Sequence, residues 1–170
     1  MKVFSLFILL SMLFLTGCGY HFPGQSGSLP AGVEKLYIPL FRNTTAEPQL
    51  ENMMTSRVSE VFSRNSKISQ VEDQDDAEAI LEGTIRDYKS RALSYDNNDD
   101  ISEYRSTMII DAVLRQTKTE QLLWEGTVSW NEEYSAADDK IDQEDFEQQA
   151  IDEITLRLAE EILYKLLDDF

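Results

Sequence analysis

The sequence predicts an α+β fold: a two-layer sandwich in which two helices pack on one face of a mixed sheet with a long antiparallel β-meander. Three observations carry this expectation. Apolar residues recur at helical spacing in two separate stretches, at residues 50–62 and 151–167. Between them lie three long runs of extended-type sequence joined by short, turn-forming links. A further strand candidate stands ahead of the first helix, so the order is strand, helix, meander, helix.

Taken in order, residues 33–41 (VEKLYIPLF) form the first strand candidate, with Val33, Tyr37 and Ile38 favouring extended backbone. Pro39 inside the run places an edge or a strand end there. Residues 42–47 are a polar connection, and Pro48 suits the first turn of a helix, where a missing N–H costs nothing. Leu50, Met53, Met54, Val58, Val61 and Phe62 then make the stripe of an amphipathic helix ending near Asn65. Residues 68–71 suggest a short strand, followed by an acidic loop, residues 72–78, with five carboxylates in seven positions.

The meander is predicted over residues 79–95, 101–117 and 121–134. In its second strand Met108, Ile110, Ala112 and Leu114 share one face, while Arg105, Thr107, Asp111 and Arg115, with Ile109 and Val113, share the other. The links Asp96-Asn97-Asn98-Asp99-Asp100 and Lys118-Thr119-Glu120 are hairpin turns. Strands this long project beyond any helix packed on them. The last helix begins near Asp142, in a carboxylate-rich turn favourable at a positive helix end. It carries one stripe of Ile151, Ile154, Leu158, Ile162 and Leu166, and a second of Leu156, Ala159, Leu163 and Leu167. Two stripes fit a helix that touches both the sheet and the first helix, or one that offers a face to a partner protein.

Composition narrows the function. The 170 residues, 42% hydrophobic and 28% charged, suffice for one domain with a real core. With 32 acidic against 15 basic side chains, the formal net charge of −17 opposes non-specific nucleic-acid binding. One cysteine excludes a disulfide framework and any CxxC site, and one histidine excludes a His/Cys zinc centre. No nucleophile elbow, P-loop or glycine-rich dinucleotide fingerprint is present, so no catalytic residue, metal ligand or cofactor site is read. Asp96, Asn98 and Asp100 have the first spacings of a calcium loop, but Ile101 stands where glycine is needed and Thr107 where glutamate is needed.

The N-terminus reads as a targeting segment. Met1-Lys2 precedes a thirteen-residue, largely apolar run at residues 3–15, too short to span a bilayer but suited to a signal peptide. Leu15-Thr16-Gly17-Cys18 then resembles a bacterial lipobox, with the only cysteine of the chain at the lipidation position. In this reading residues 1–17 are a signal peptide, Cys18 is the lipid-attachment residue, residues 18–32 are a lipidated tether and residues 33–170 a single domain. Two or more acyl chains give stable anchoring. His21, three residues beyond Cys18, is then a membrane-proximal tether residue. Gly19 stands where aspartate would retain an enterobacterial lipoprotein at the inner membrane, which resembles an outer-membrane address.

Charge is unevenly spread: residues 131–170 hold 14 acidic and 3 basic side chains, whereas residues 85–118 hold six of each. If the first hairpin turns about Asn98, Arg91 and Arg105 face each other near its tip. Two uses are open to them, a surface ion-pair ladder with Glu103 and Asp87 or contact with an anion such as phosphate.

A family resemblance rests on these residues. Cys18-Gly19-Tyr20-His21-Phe22, the strand at 33–41 and Arg42-Asn43-Thr44-Thr45-Ala46-Glu47-Pro48-Gln49-Leu50-Glu51 resemble the LPS-assembly lipoproteins of the LptE family. So do Leu81-Glu82-Gly83, Glu103-Tyr104, Leu123-Trp124 and the acidic last helix. The resemblance implies an α/β sandwich lodged in the large outer-membrane β-barrel LptD, where it supports barrel assembly, plugs the lumen and contacts lipopolysaccharide. It implies a lipid-anchored location on the periplasmic face of the outer membrane. A representative of the family carries a basic residue in the hairpin tip where this chain has Asp96, which leaves Arg91, Arg105 or Lys140 as the expected lipopolysaccharide contacts. A periplasmic scaffold or activator for another envelope machine, lipid-anchored but without a barrel, is the alternative.

Overall fold

The structure, a computed structural model, describes residues 28–168. The expected signal peptide, Cys18, His21 and the tether as far as residue 27 lie outside the described residues. Leu29 and Pro30, within the stretch read as tether, are buried, so apolar packing starts ahead of the first strand.

Only Lys35–Tyr37 of the extended run at 33–41 forms a strand, β1, and a second short strand, β2 (Arg42–Asn43), opens the stretch read as a polar connection. Both pair in parallel with β4 (Ala79–Tyr95). Between the pairs Tyr37–Ile80 and Arg42–Thr84, the N-terminal chain uses one residue more than β4. Pro39 lies in this bulge, where its missing N–H breaks no ladder bond. It therefore marks a strand end, and β1 itself is interior, flanked by β3 (Ser69–Gln70) and β4.

Helix α1 (Leu50–Ser63) buries Leu50, Met54, Val58, Val61 and Phe62 of the stripe read from sequence, and Met53 packs half-buried beside them. The connection before it is tied by Asn43, whose Nδ2 donates to Glu47 O at 2.7 Å and Glu51 Oε2 at 2.9 Å. Thr44 donates through N and Oγ1 to Ile85 O. This polar motif thus fixes α1 to β2 and β4.

Strands β4, β5 (Ile101–Gln116) and β6 (Leu122–Ser135) form the meander in the expected places. The six-stranded, mixed, open sheet runs β3-β1-β4-β5-β6, with β2 also on β4. Helix α2 (Lys140–Asp168) starts two residues before Asp142, because Asp139 Oδ1 accepts the Ile141 amide at 2.7 Å and opens the helix there. Its buried residues include Ile151, Ile154, Leu158, Ala159, Ile162, Leu166 and Leu167, packed against β5, β6 and α1. Both apolar stripes are used inside the molecule. Both helices lie on one sheet face.

Under the helices, Gly83, Ala112 and Gly126 stand side by side across β4, β5 and β6. Aromatic rings occupy the space the glycines leave. A Cβ on Gly83 would sit 2.1 Å from Phe41 Cε2, and one on Gly126 would sit 2.6 Å from Trp124 Cζ2.

Candidate functional site

Beyond the helices the three long strands continue as a bare ribbon, with residues 91–101 of the β4–β5 hairpin at its end largely exposed. The turn at its tip is built by Asp96, whose Oδ1 accepts the amides of Asn98 at 2.7 Å and Asp100 at 3.0 Å. Those two amides hold the Asp96 carboxyl below the usual carboxylate range. An acid at this position is therefore a turn former committed to its own loop. Among the described residues, no group of three or more His, Cys, Asp or Glu side chains is placed to hold a metal ion.

Arg91 and Arg105 are direct register partners across this hairpin, as the turn at Asn98 requires. Two guanidiniums facing each other repel. Only one is compensated: Arg105 donates to Glu133 Oε1 of β6, from Nε at 3.1 Å and Nη2 at 2.5 Å. Among the described residues the Arg91 guanidinium has no ion-pair or hydrogen-bond partner. The expected ladder with Glu103 and Asp87 does not form, since Asp87 holds Lys89 at 2.5 Å and Glu103 accepts from Ser94. A reading confined to two strands missed the third, which supplies the arginine's partner.

Asp87, Lys89, Arg91, Leu93, Arg105 and Thr107 line an open hollow of about 430 Å³ on the uncovered sheet face. Its three cations outnumber the single carboxylate in its wall, and Arg91 brings a planar fork of unmet donors. This spot can take an anion on a chain that otherwise repels anions. Lys140 does not join it. That residue opens α2 on the opposite side of the sheet and pairs with Glu144 at 3.3 Å.

Several charges on the rest of the uncovered face are paired off. Arg86 reaches Asp111 at 3.3 Å, Thr127 donates to the same carboxylate at 2.7 Å, and Arg115 stands 3.8 Å from Glu82. Such exposed pairs add little stability, but they leave a polar wall with no large field of one sign.

On the helix side of the same ribbon lies a polar cluster that sequence reasoning missed. Tyr88 OH donates to Glu147 Oε1 of α2 at 2.7 Å and lies 3.0 Å from the fully buried Ser106 hydroxyl. Ser90 and Tyr134 hydroxyls meet at 2.6 Å, and the Tyr134 ring stacks on Tyr104 at 5.5 Å. Burial pushes the phenols of Tyr88 and Tyr134 up. Burial, with the nearby Glu147 charge second, also raises Glu47. The signal was present as hydroxyl residues at strand parity opposite the start of the last helix.

Fold and site together define an α+β sandwich with a covered core, an open sheet face and a cation pair on a projecting hairpin. Residues 33–166 match the family described as LptE, lipopolysaccharide-assembly, and the chain belongs to that family. No curated protein matches the sequence. Among solved structures, the lipoprotein B of Nitrosomonas europaea is similar at TM-score 0.59 and 17% identity, over 88% of this chain and 90% of that one. The rare lipoprotein B of Shewanella oneidensis is similar at TM-score 0.52 and 11% identity, over 76% and 91%. A PelC chain, from a dodecamer of Paraburkholderia phytofirmans, is similar at TM-score 0.56 and 12% identity, over 84% and 95%. These likenesses show a shared fold. Among the described residues no helix is long and apolar enough to cross a membrane.

Proposed function

We propose that this LptE-family chain is an outer-membrane lipoprotein, anchored on the periplasmic side through Cys18, that assembles with and plugs an LptD-type β-barrel. In that place it assists lipopolysaccharide on its way to the outer leaflet. The observation that carries the lipopolysaccharide contact is Arg91, without an acidic partner among the described residues, beside Arg105 on an uncovered, projecting hairpin. The paired-off sheet face suits a polar barrel lumen, which tolerates charge that lipid would reject. The described chain enters at the other end of the sheet, where Ala31, Gly32 and Val33 lie beside Gln116 and Lys118. The arginine pair lies twelve residues along β4 from Ala79, ~40 Å at ~3.3–3.4 Å per residue. The cation pair therefore lies far from the point where the described chain enters the sheet.

Detergent extraction of the tagged chain should recover a large outer-membrane β-barrel together with lipopolysaccharide. Recovery of only soluble or peptidoglycan-linked partners would replace this reading with a scaffold for another machine. With Arg91→Glu and Arg105→Glu combined, photo-cross-linking to lipopolysaccharide should fall while barrel recovery persists, because charge-assisted bonds contribute about 1.5–3 kcal/mol each where desolvated. Equal cross-linking by both proteins removes the arginines from the site.

Cys18→Ser should abolish incorporation of a metabolic fatty-acid label and leave an uncleaved or misplaced precursor, since no thioether can form. Label retained in the variant sinks the assignment of Cys18.

A further inference from the structure

The two edges of the sheet are guarded unequally. At one edge β3 is only two residues long and the acidic segment 72–78 follows it, while beyond Ile85 the free side of β4 is interrupted by bulges at Ile85/Asp87, Ala92/Ser94 and Ser94/Tyr95, which blunt an edge. At the other, β6 runs for 14 residues without proline, and its register with β5 is unbroken from Ser135 to Trp124. The direction of its free groups follows from two bonds. Ala136 N donates to Ser102 O, so even-numbered groups turn toward β5 and odd-numbered ones turn outward. Lys165 Nζ takes the outward carbonyl of Thr127 at 3.2 Å, in keeping with that parity. This lysine guards the lower edge in the way that charged side chains guard natural edges. From Ser129 to Ser135, among the described residues, no side chain does the same.

Alongside that open stretch lies a groove of about 260 Å³ between β6 and the first turns of α2, lined by Glu132, Tyr134, Phe146, Ala150 and Glu153 among others. Trp130, 38% exposed, continues it, with the Arg157 guanidinium 6.0 Å from its ring centroid. No basic residue lines the groove. Glu153 is held by Arg157 at 2.7 Å, whereas Glu132 has no ion pair among the described residues.

We infer that the outer edge of β6, over residues 129–135, is a strand-addition site for an extended segment of another polypeptide. That segment alternates basic and apolar side chains. Its backbone takes the outward groups of Ser129, Asn131, Glu133 and Ser135, and its side chains on the helix side enter the groove beside Phe146 and Glu132. A second copy of this chain is a poor occupant. Its own β6 would set Glu132 and Glu133 among carboxylates of the same sign, and each chain carries a net charge of −17. The inference is independent of the barrel and of the arginine pair.

The test uses the full chain in detergent with a capped seven-residue peptide alternating lysine and valine, read by amide hydrogen exchange. The Asn131 and Glu133 amides should become protected. Protection should be lost with a glutamate-for-lysine peptide, and with a peptide N-methylated along the edge that would pair. Asn131→Pro should also lose it while melting as the parent does, because the Asn131 N–H points away from β5 and a proline there removes no internal bond. If that variant fails to fold, the N-methylated peptide decides alone. No protection with the lysine peptide overturns the inference. So does equal binding of the N-methylated form, which would mean charge attraction without strand pairing. Protection that appears without peptide as protein concentration rises overturns it too, in favour of a second copy.

Discussion

Leu158→Asp is expected to leave the chain without a cooperative melting transition. Leu158 is fully buried, midway along α2, in the core shared by α1 and the sheet. Along the helix, Ile151, Ile154 and Ile162 enclose it above and below. A carboxylate there has no cation to meet. Burying an unpaired charge costs about 4–5 kcal/mol or more, at the extreme of single substitutions. Whole domains are stable by only about 5–15 kcal/mol. Asp152→Asn, on the exposed side of the same helix, serves as the control and should melt as the parent does. A Leu158→Asp protein with the parent's transition would show that the core lies on another face of α2.

How far the sequence announced this structure depends on the range of the interaction that fixes each element. The meander was legible because strand parity and turn residues are local: β4 spans residues 79–95 as read, β5 ends one residue earlier than read, and β6 is shifted by one residue at both ends. The stripes of α1 and α2 were legible for the same reason. What escaped depends on contacts distant in sequence. Residues 33–41 look like one strand until β4 imposes a register that leaves one residue over at Pro39. Leu29 and Pro30 look like tether until a core is there to cover them. The site divides in the same way. The facing of Arg91 and Arg105 follows from a turn five residues long, but the partner of Arg105 is Glu133, 28 positions away on a third strand. The link from Tyr88 to Glu147 joins groups 59 positions apart, and no periodicity announces it.

Gly83→Val is expected to lower the melting temperature sharply, through the loss of one aromatic side chain from the core. A Cβ on Gly83 would lie 2.1, 2.3 and 2.4 Å from three atoms of the Phe41 ring, closer than any real contact. The ring cannot shift sideways at small cost, because the Phe41 amide is held by Thr55 Oγ1 of α1 at 2.9 Å and β2 follows at once on β4. Valine must therefore expel the ring or push β2 away. Emptying a buried phenylalanine site costs about 3–5 kcal/mol, and forcing in extra atoms costs a further ~1–3 kcal/mol where the core cannot relax. A double-mutant cycle separates steric exclusion from the loss of glycine itself. Phe41→Ala vacates the space, so adding Gly83→Ala to it should cost much less than Gly83→Ala alone, a coupling of the kind seen only between residues in contact. Additive costs would mean that Gly83 is needed for its backbone and not for the ring. The consequence extends past stability. Arg42 and Asn43 pair with Thr84 and Ile85, and the first bulge of β4 follows at Arg86, where the ribbon that carries Arg91 begins. Losing Phe41 loosens that root, so the Gly83→Val chain, at temperatures where it is still folded, should show weaker lipopolysaccharide cross-linking although both arginines are intact.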